Sequence, residues 1–238
     1  KLSTTMSKQA IAEPEPEPGF EEGVPPHAAA AVALEAELLR KVKEAAGDHE
    51  NLVGMHSTFV SGEHLRLCLD LATGGDLFEH LWRRRGEIPR HDALSFGRQL
   101  ASGLAHLHAA KVAHRDVKLS NALLCPHGGG DLSTGDGGGG GFTLKLADLG
   151  LGCHSSELSP VSALASRLPA STLARLASAH HGVSHDPYGT PTTMAPEVCA
   201  GQWYCPFRAD AWSLGVCLLT LLAPRDYDEY EYERTPFY

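Results

Sequence analysis

Nowhere in the 238 residues do eighteen apolar positions follow one another, so no segment is expected to span a membrane. The stretch from Lys1 to Ala12 also lacks the apolar centre of a signal peptide. The sequence opens on Lys1 rather than a methionine, so further chain upstream is expected and the missing signal excludes little. Positive charge is scarce: 20 Lys and Arg stand against 29 Asp and Glu, a net charge of -9. Neutralising nucleic-acid phosphates needs clustered cations. The one basic run, Arg83-Arg84-Arg85, reads as a solvated helix end. No nucleic-acid partner is expected. Six cysteines occur with no C-x-x-C pair, which argues against a zinc site or a disulfide framework. Reduced thiols in an intracellular, cytoplasmic setting fit that pattern. Among 14 histidines the nearest clusters, His106/His108 and His180/His181/His185, are joined by no Cys or carboxylate that completes a metal ligand set.

What is present suffices for a packed core, at 42% hydrophobic residues. Residues 13–26 are acidic and Pro-rich and predict a solvated loop. Strong helix formers then run from Ala28 to about residue 45, with Leu34, Leu38 and Leu39 on one face. Two strands are expected over about 52–71, joined by a turn at Ser61-Gly62-Glu63. From Ala93 to Ala110 the spacing of Phe96, Leu100, Leu104 and Leu107 predicts a long amphipathic helix. The glycine-rich tract within about 126–141 and the Ser/Ala/His-rich stretch within about 153–187 read as insertions into a compact domain. Asp210 to Leu222 predicts an apolar helix with an acidic, Tyr-rich tail after it.

Phosphoryl transfer needs a carboxylate beside the attacking hydroxyl, oxygen ligands for Mg²⁺ and cations around the phosphates. The run HRDVKLSN (114–121) offers Asp116 to accept the hydroxyl proton, Lys118 to reach the transferred phosphate and Asn121 as a metal ligand. The apolar run LKLADLG (144–150) ends on Asp148, a second metal ligand. A lone HRD recurs by chance. The ordered series HRD-x-K-x-x-N, Asp-Leu-Gly, MAPE (194–197) and DAWSLGV (210–216) does not. It resembles the Ser/Thr protein kinase family over roughly residues 28–222 with gaps. The GGDLF and RQLASGLAHLH runs are most similar to the calcium/calmodulin-dependent and related groups, although Ser120 replaces a glutamate common in their catalytic loop.

The resemblance implies an α+β, two-lobe, protein-kinase-like fold: an incomplete small lobe over 1–71 and a large helical lobe over 72–238, truncated after its central helix. It implies ATP and Mg²⁺ as cofactors, protein substrates and a regulatory partner of unknown identity. By the same resemblance Leu69 guards the back pocket, and the backbones of Asp70 and Ala72 hydrogen-bond adenine. Asp76 reaches the ribose, and Leu123 is either the floor under adenine or simple core. Glu35 pairs with the ATP-contacting lysine, with Glu37 and Glu44 as neighbours on a solvated face. Met55, Leu39, Leu149 and His114 resemble the apolar stack between the lobes. Asp210 anchors the catalytic loop, caps the last helix, or does both. Thr190 contacts Asp116 and Lys118, while Thr193 stands where tyrosine is usual.

The departures are as informative. The glycine-rich loop of the family would lie upstream of Lys1, and Lys1 itself is a candidate for the ATP lysine. The arginine expected to pair with Glu197 would lie beyond the last residue, leaving a buried carboxylate unpaired. Asp186, four residues before Thr190, is expected to pair with Arg115 without phosphorylation, a phosphate's role there being to bring negative charge to an arginine. Ser171, Thr172, Ser178 and Ser184 are candidate phosphosites. Two readings follow. One is a Ser/Thr kinase whose isolated 238-residue piece has little activity. The other is a pseudokinase-like interaction module, against which intact Asp116, Asn121 and Asp148 count.

Overall fold

The computed structural model describes residues 26–61, 64–126 and 141–223. Lys1, the acidic Pro-rich stretch, the Gly62-Glu63 turn, most of the glycine-rich tract and the Tyr-rich tail fall outside them.

Helix α1 (Pro26–Ala46) follows from its alanine-rich composition, and its apolar stripe decides how it packs. Leu38 and Val42 are buried, and Leu34 and Leu39 pack against the same core. Glu37–Lys41 and Arg40–Glu44 pair across one turn on the solvated side. Gly47, at φ +80°, ends the helix, its N–H bonding back to the carbonyl of Lys43.

Strands β1 (Met55–Ser61) and β2 (His64–Leu69) form an antiparallel pair with Phe59 opposite Arg66. A bulge at His56 separates the Met55↔Leu69 pairing from the rest. The outer strand is exposed, with Val60 at 72% and Phe59 at 51%. Short helix α2 (Leu77–Arg83) is capped by the Asp76 side chain, and the basic run ends it as expected.

Helix α3 (Arg90–Ala109) begins a few residues before the periodicity suggests. Its predicted face, Phe96, Leu100, Leu104 and Leu107, is at most 3% exposed. At Gly103 a Cβ would sit 2.4 Å from the carbonyl oxygen of Asn51, so the absence of a side chain lets the segment entering β1 lie directly on the helix. After β3 (Val112–Ala113) the chain makes a single 3-10 turn over Leu119–Asn121, then pairs β4 (Ala122–Pro126) antiparallel with β5 (Phe142–Leu146). Gln99 of α3 accepts from the Leu144 N–H at 2.8 Å and thereby locks β5 onto the helix.

The stretch after β6 (Cys153–His154) is more ordered than its composition suggests. It carries two short 3-10 turns and α4 (Ala170–Leu176). Leu164, Leu176, Ala179 and Val183 form a second buried cluster with Ala113, Cys153, Cys205 and Phe207. After α5 (Pro196–Cys199) the last helix, α6 (Pro206–Leu222), starts four residues before Asp210, with Pro206 in its first turn. Asp210 is therefore inside the helix and Cys205 occupies the cap position, which corrects the N-cap expectation. Among the described residues Glu197 is partly exposed rather than buried, which corrects the expectation of a buried unpaired carboxylate. Among the described residues no helix is long and apolar enough to cross a membrane.

Candidate active site

The site assembles where the loop after β3, the turn after β5 and the segment before α5 meet. Asp210, 1% exposed, organises the loop. Its carboxylate accepts from the backbone N–H of His114 at 2.8 Å and of Arg115 at 2.7 Å, and pairs with His108 Nε2 at 2.8 Å. Those bonds hold Arg115 at φ +65°, a left-handed backbone that a long side chain adopts only when its surroundings dictate it. His114 is fully buried, its Nε2 3.0 Å from the Ala147 carbonyl.

Asp116 lies at the centre. Its Oδ1 accepts from Thr190 Oγ1 at 2.6 Å, and its Oδ2 lies 2.7 Å from Lys118 Nζ. Lys118 also donates to Thr190 Oγ1 at 2.8 Å, closing a three-residue ring across 74 positions of sequence. Burial works to raise the Asp116 pKa, but hydrogen bonds from Lys118 and Thr190 and the charge of Lys118 outweigh it and hold the carboxyl below its ordinary value. Asn121 spends its amide nitrogen on Asp116, donating to the carbonyl at 2.9 Å and to Oδ2 at 3.2 Å, which leaves Oδ1 as an acceptor.

Asp148 follows β5 at φ +69° and accepts from the Gly150 N–H at 3.1 Å. Across from it, Glu35 of α1 accepts from the Leu149 N–H at 3.3 Å. Burial, reinforced by the charge of Asp148, pushes the Glu35 pKa up against the opposing Leu149 hydrogen bond. Of the three candidate glutamates only Glu35 faces this turn, Glu37 and Glu44 being paired on the outer surface. Lys1 lies outside the described residues. Asn121 and Asp148 supply an amide and a carboxylate oxygen, hard donors of the kind Mg²⁺ takes alongside phosphate oxygens. The residues present therefore fit that ion.

The segment joining β2 to α2 carries the adenine candidates. Leu69 ends β2 opposite Met55. The Asp70 N–H is already bonded to the Gly54 carbonyl at 2.9 Å, so only its carbonyl is left for a ligand. Its carboxylate is occupied too, by the Gly54 N–H, Lys145 Nζ at 2.8 Å and His56 Nε2 at 2.9 Å. Those contacts overcome burial and lower its pKa. Among the described residues no hydrogen bond involves the backbone of Ala72. Asp76 caps α2 through Glu79 N at 2.7 Å and forms a bridge with Leu123. Leu123 is half-buried and stands apart from the main core, whereas Leu124 on the opposite face is wholly buried in it. Of the four stack residues, Leu149 and Leu39 join the main core, and Leu39 and Met55 line a shared cavity of about 230 Å³ between the end of α1 and the segment entering β1.

One expectation fails. Asp186 does not pair with Arg115. Its carboxylate is taken by the Ser184 hydroxyl at 3.0 Å, a local turn that wins over a distant cation. Arg115 instead donates to the carbonyls of Leu151 and Gly152, with its guanidinium over the Tyr188 ring. Sequence reasoning gave no role to Tyr188, and none in the site to Lys145, Gln99 or His108, although the last three lie within runs it singled out; each acts on a partner far along the chain.

A buried catalytic-loop aspartate bound to a lysine and a threonine, facing an Asp-Leu-Gly turn and a helix glutamate, defines a phosphotransferase-type site. The protein kinase domain family matches residues 22–229, and the chain belongs to it. It is 32% identical over 191 residues, 80% of its length and 35% of the relative's, to CBL-interacting serine/threonine-protein kinase 7 of Arabidopsis thaliana. It is 39% identical over 188 residues, 79% of its length and 47% of the relative's, to a probable myosin light chain kinase of Dictyostelium discoideum. A serine/threonine-protein kinase of Oryza sativa subsp. japonica, SAPK5, is 33% identical over 174 residues, 73% of this chain and 37% of that one. The chain spans a third to a half of the length of these curated relatives.

Proposed function

We propose that this chain carries the catalytic residues of a serine/threonine kinase that moves the ATP γ-phosphate to Ser or Thr hydroxyls of protein substrates. The observation that carries the reading is the ring of Asp116, Lys118 and Thr190, at 2.6–2.8 Å. Asp116 is ionised at neutral pH and takes the proton of the attacking hydroxyl. Lys118 neutralises charge on the transferred phosphoryl group, and Thr190 fixes both side chains in register. Asn121 and Asp148 hold Mg²⁺, which supplies charge stabilisation to the phosphates when bound. The carbonyl of Asp70 and the N–H of Ala72 take the adenine, with Leu69 behind it, Leu123 below and Asp76 toward the ribose. Glu35, its charge unfavourable where it sits, is the partner of a lysine that steadies the phosphates, for which Lys1 is the candidate. Arg115 positions the loop.

We place the lobe boundary after Leu71. The two insertions, near 126–141 and 153–187, belong to the large lobe. Six unpaired cysteines support an intracellular, cytoplasmic setting. The test is transfer of labelled γ-phosphate to a generic protein substrate by the protein at its natural length. The transfer should be lost in Asp148→Ala. Equal transfer by wild type and D148A refutes the assignment, and no transfer by either favours an interaction module.

A further inference from the structure

The one carboxylate bonded to Arg115 among the described residues, that of Asp210, takes its backbone N–H and not its guanidinium. Among the described residues no Asp or Glu forms an ion pair with it. Its Nε donates to the Leu151 carbonyl at 2.5 Å and its Nη2 to that of Gly152 at 3.1 Å. The guanidinium carbon lies over the Tyr188 ring, 4.6 Å from its centroid, well inside the range over which a cation is drawn to an aromatic quadrupole.

Tyr188 is itself held. Its N–H bonds to the Asp186 carbonyl at 2.9 Å, and that carbonyl also accepts the Tyr204 hydroxyl at 2.7 Å. The next residue, Gly189, runs at φ +128° so close to the catalytic loop that a Cβ would stand 2.7 Å from the Arg115 carbonyl oxygen. The residue after that is Thr190, bonded to Asp116 and Lys118. Three consecutive residues therefore grip the catalytic loop in order: a ring on Arg115, a bare backbone on the carbonyl of Arg115, and a hydroxyl on Asp116.

We infer that Tyr188 is a positioning residue whose stacking on Arg115 holds Thr190 against Asp116 and Lys118 with no phosphoryl group on this segment. A phosphate orders such segments by giving an arginine a negative partner. Here two of the five guanidinium N–H groups of Arg115 donate to backbone carbonyls and the cation lies over a ring, so the segment is ordered without one. Ser184, a candidate phosphosite, is 6% exposed, with its hydroxyl bonded to Asp186. The inference deepens the kinase reading and rests on it.

The test uses the protein at its natural length, treated with phosphatase, as wild type, Tyr188→Phe, Tyr188→Leu and Tyr188→Ala. Measured are kcat, KM for ATP and for a peptide substrate, and amide hydrogen exchange at Thr193 and Met194, whose N–H groups bond to the Thr190 carbonyl at 3.0 Å. Phosphatase should leave the wild-type rate intact, and Y188F, which keeps the ring, should match it. Y188L and Y188A should lose kcat by roughly two- to fivefold, the worth of a partly exposed cation–π contact, with KM for ATP unchanged and exchange at both amides accelerated. Loss of activity on phosphatase treatment overturns the inference, as does Y188L behaving like Y188F. If no variant transfers phosphate the kinase reading fails, and the exchange comparison alone decides whether Tyr188 positions the segment.

Discussion

Replacing Asp210 by alanine removes the acceptor of one buried backbone N–H, that of His114, and one partly buried N–H, that of Arg115, together with the partner of His108. Each buried N–H left unpaired costs roughly 1–3 kcal/mol. The left-handed backbone of Arg115 also loses the contact that holds it. A loss of about 3 kcal/mol, toward the lower end of the summed range, is therefore expected. A chain of this size shifts by about 2–4 °C per kcal/mol, so the melting midpoint should fall by about 6–12 °C. His108→Ala, whose ring is 25% exposed, gives up one hydrogen bond that water can replace and should cost about 1 kcal/mol. Scanning calorimetry of wild type, D210A, H108A and the double variant separates the contributions, because the pair shares one carboxylate and must be non-additive. A midpoint for D210A within about 2 °C of wild type would refute the claim that this carboxylate carries the loop, since one orphaned N–H alone should exceed that shift.

Two glycines inside helices should respond oppositely to alanine. Gly215→Ala, with nothing within 4 Å of the added carbon, should stabilise by about 0.5–1 kcal/mol through helix propensity. Gly103→Ala meets the Asn51 carbonyl at 2.4 Å and should destabilise by about 1–3 kcal/mol in urea unfolding despite the same propensity gain. Glu35 has a raised folded-state pKa, so the folded state binds more protons than the unfolded one between the ordinary value of 4.5 and the raised value, and stability is lost as pH rises through that window. Glu35→Gln, which keeps an oxygen for the Leu149 N–H, should therefore raise the melting midpoint at pH 7 without nucleotide, and the gain should vanish near pH 4. A lower midpoint for E35Q at pH 7 would mean that the charge is compensated. Asp116 behaves in the opposite sense: its lowered pKa makes its contribution complete above its ordinary 3.8 and lost as pH falls through the folded value. Asp116→Asn should accordingly flatten acid unfolding below about pH 4, measured by circular dichroism.

Much of this was legible in the residues. The period of Phe96, Leu100, Leu104 and Leu107 placed α3, and alanine content placed α1, because helix formation depends on neighbours within a turn or two. Asp116, Lys118, Asn121 and Asp148 were legible because their chemistry needs fixed offsets inside one loop or at one strand end. The ordering of residues 155–187 was not. Its apolar residues are sparse and aperiodic, and they form a core only because Ala113, Cys153 and Phe207 from distant segments complete it. Nor was the start of α6, where Pro206 opens a helix whose apolar pattern strengthens later.

The partner of Arg115 marks the boundary most clearly. The sequence by itself determined that a catalytic-loop arginine stands beside Asp116 and that a segment ending in Thr190 returns to that loop. The position of Asp186, four residues before Thr190, favoured it as the counter-charge. Only the tertiary structure decided otherwise: the Ser184 hydroxyl, two residues away, claims the Asp186 carboxylate, and the ring of Tyr188 takes its place over the guanidinium. Complementary charge specifies which groups could attract. Which pair meets is set by where a packed backbone, held here by the Tyr204 hydroxyl and by the close approach of Gly189 to Arg115, brings each side chain.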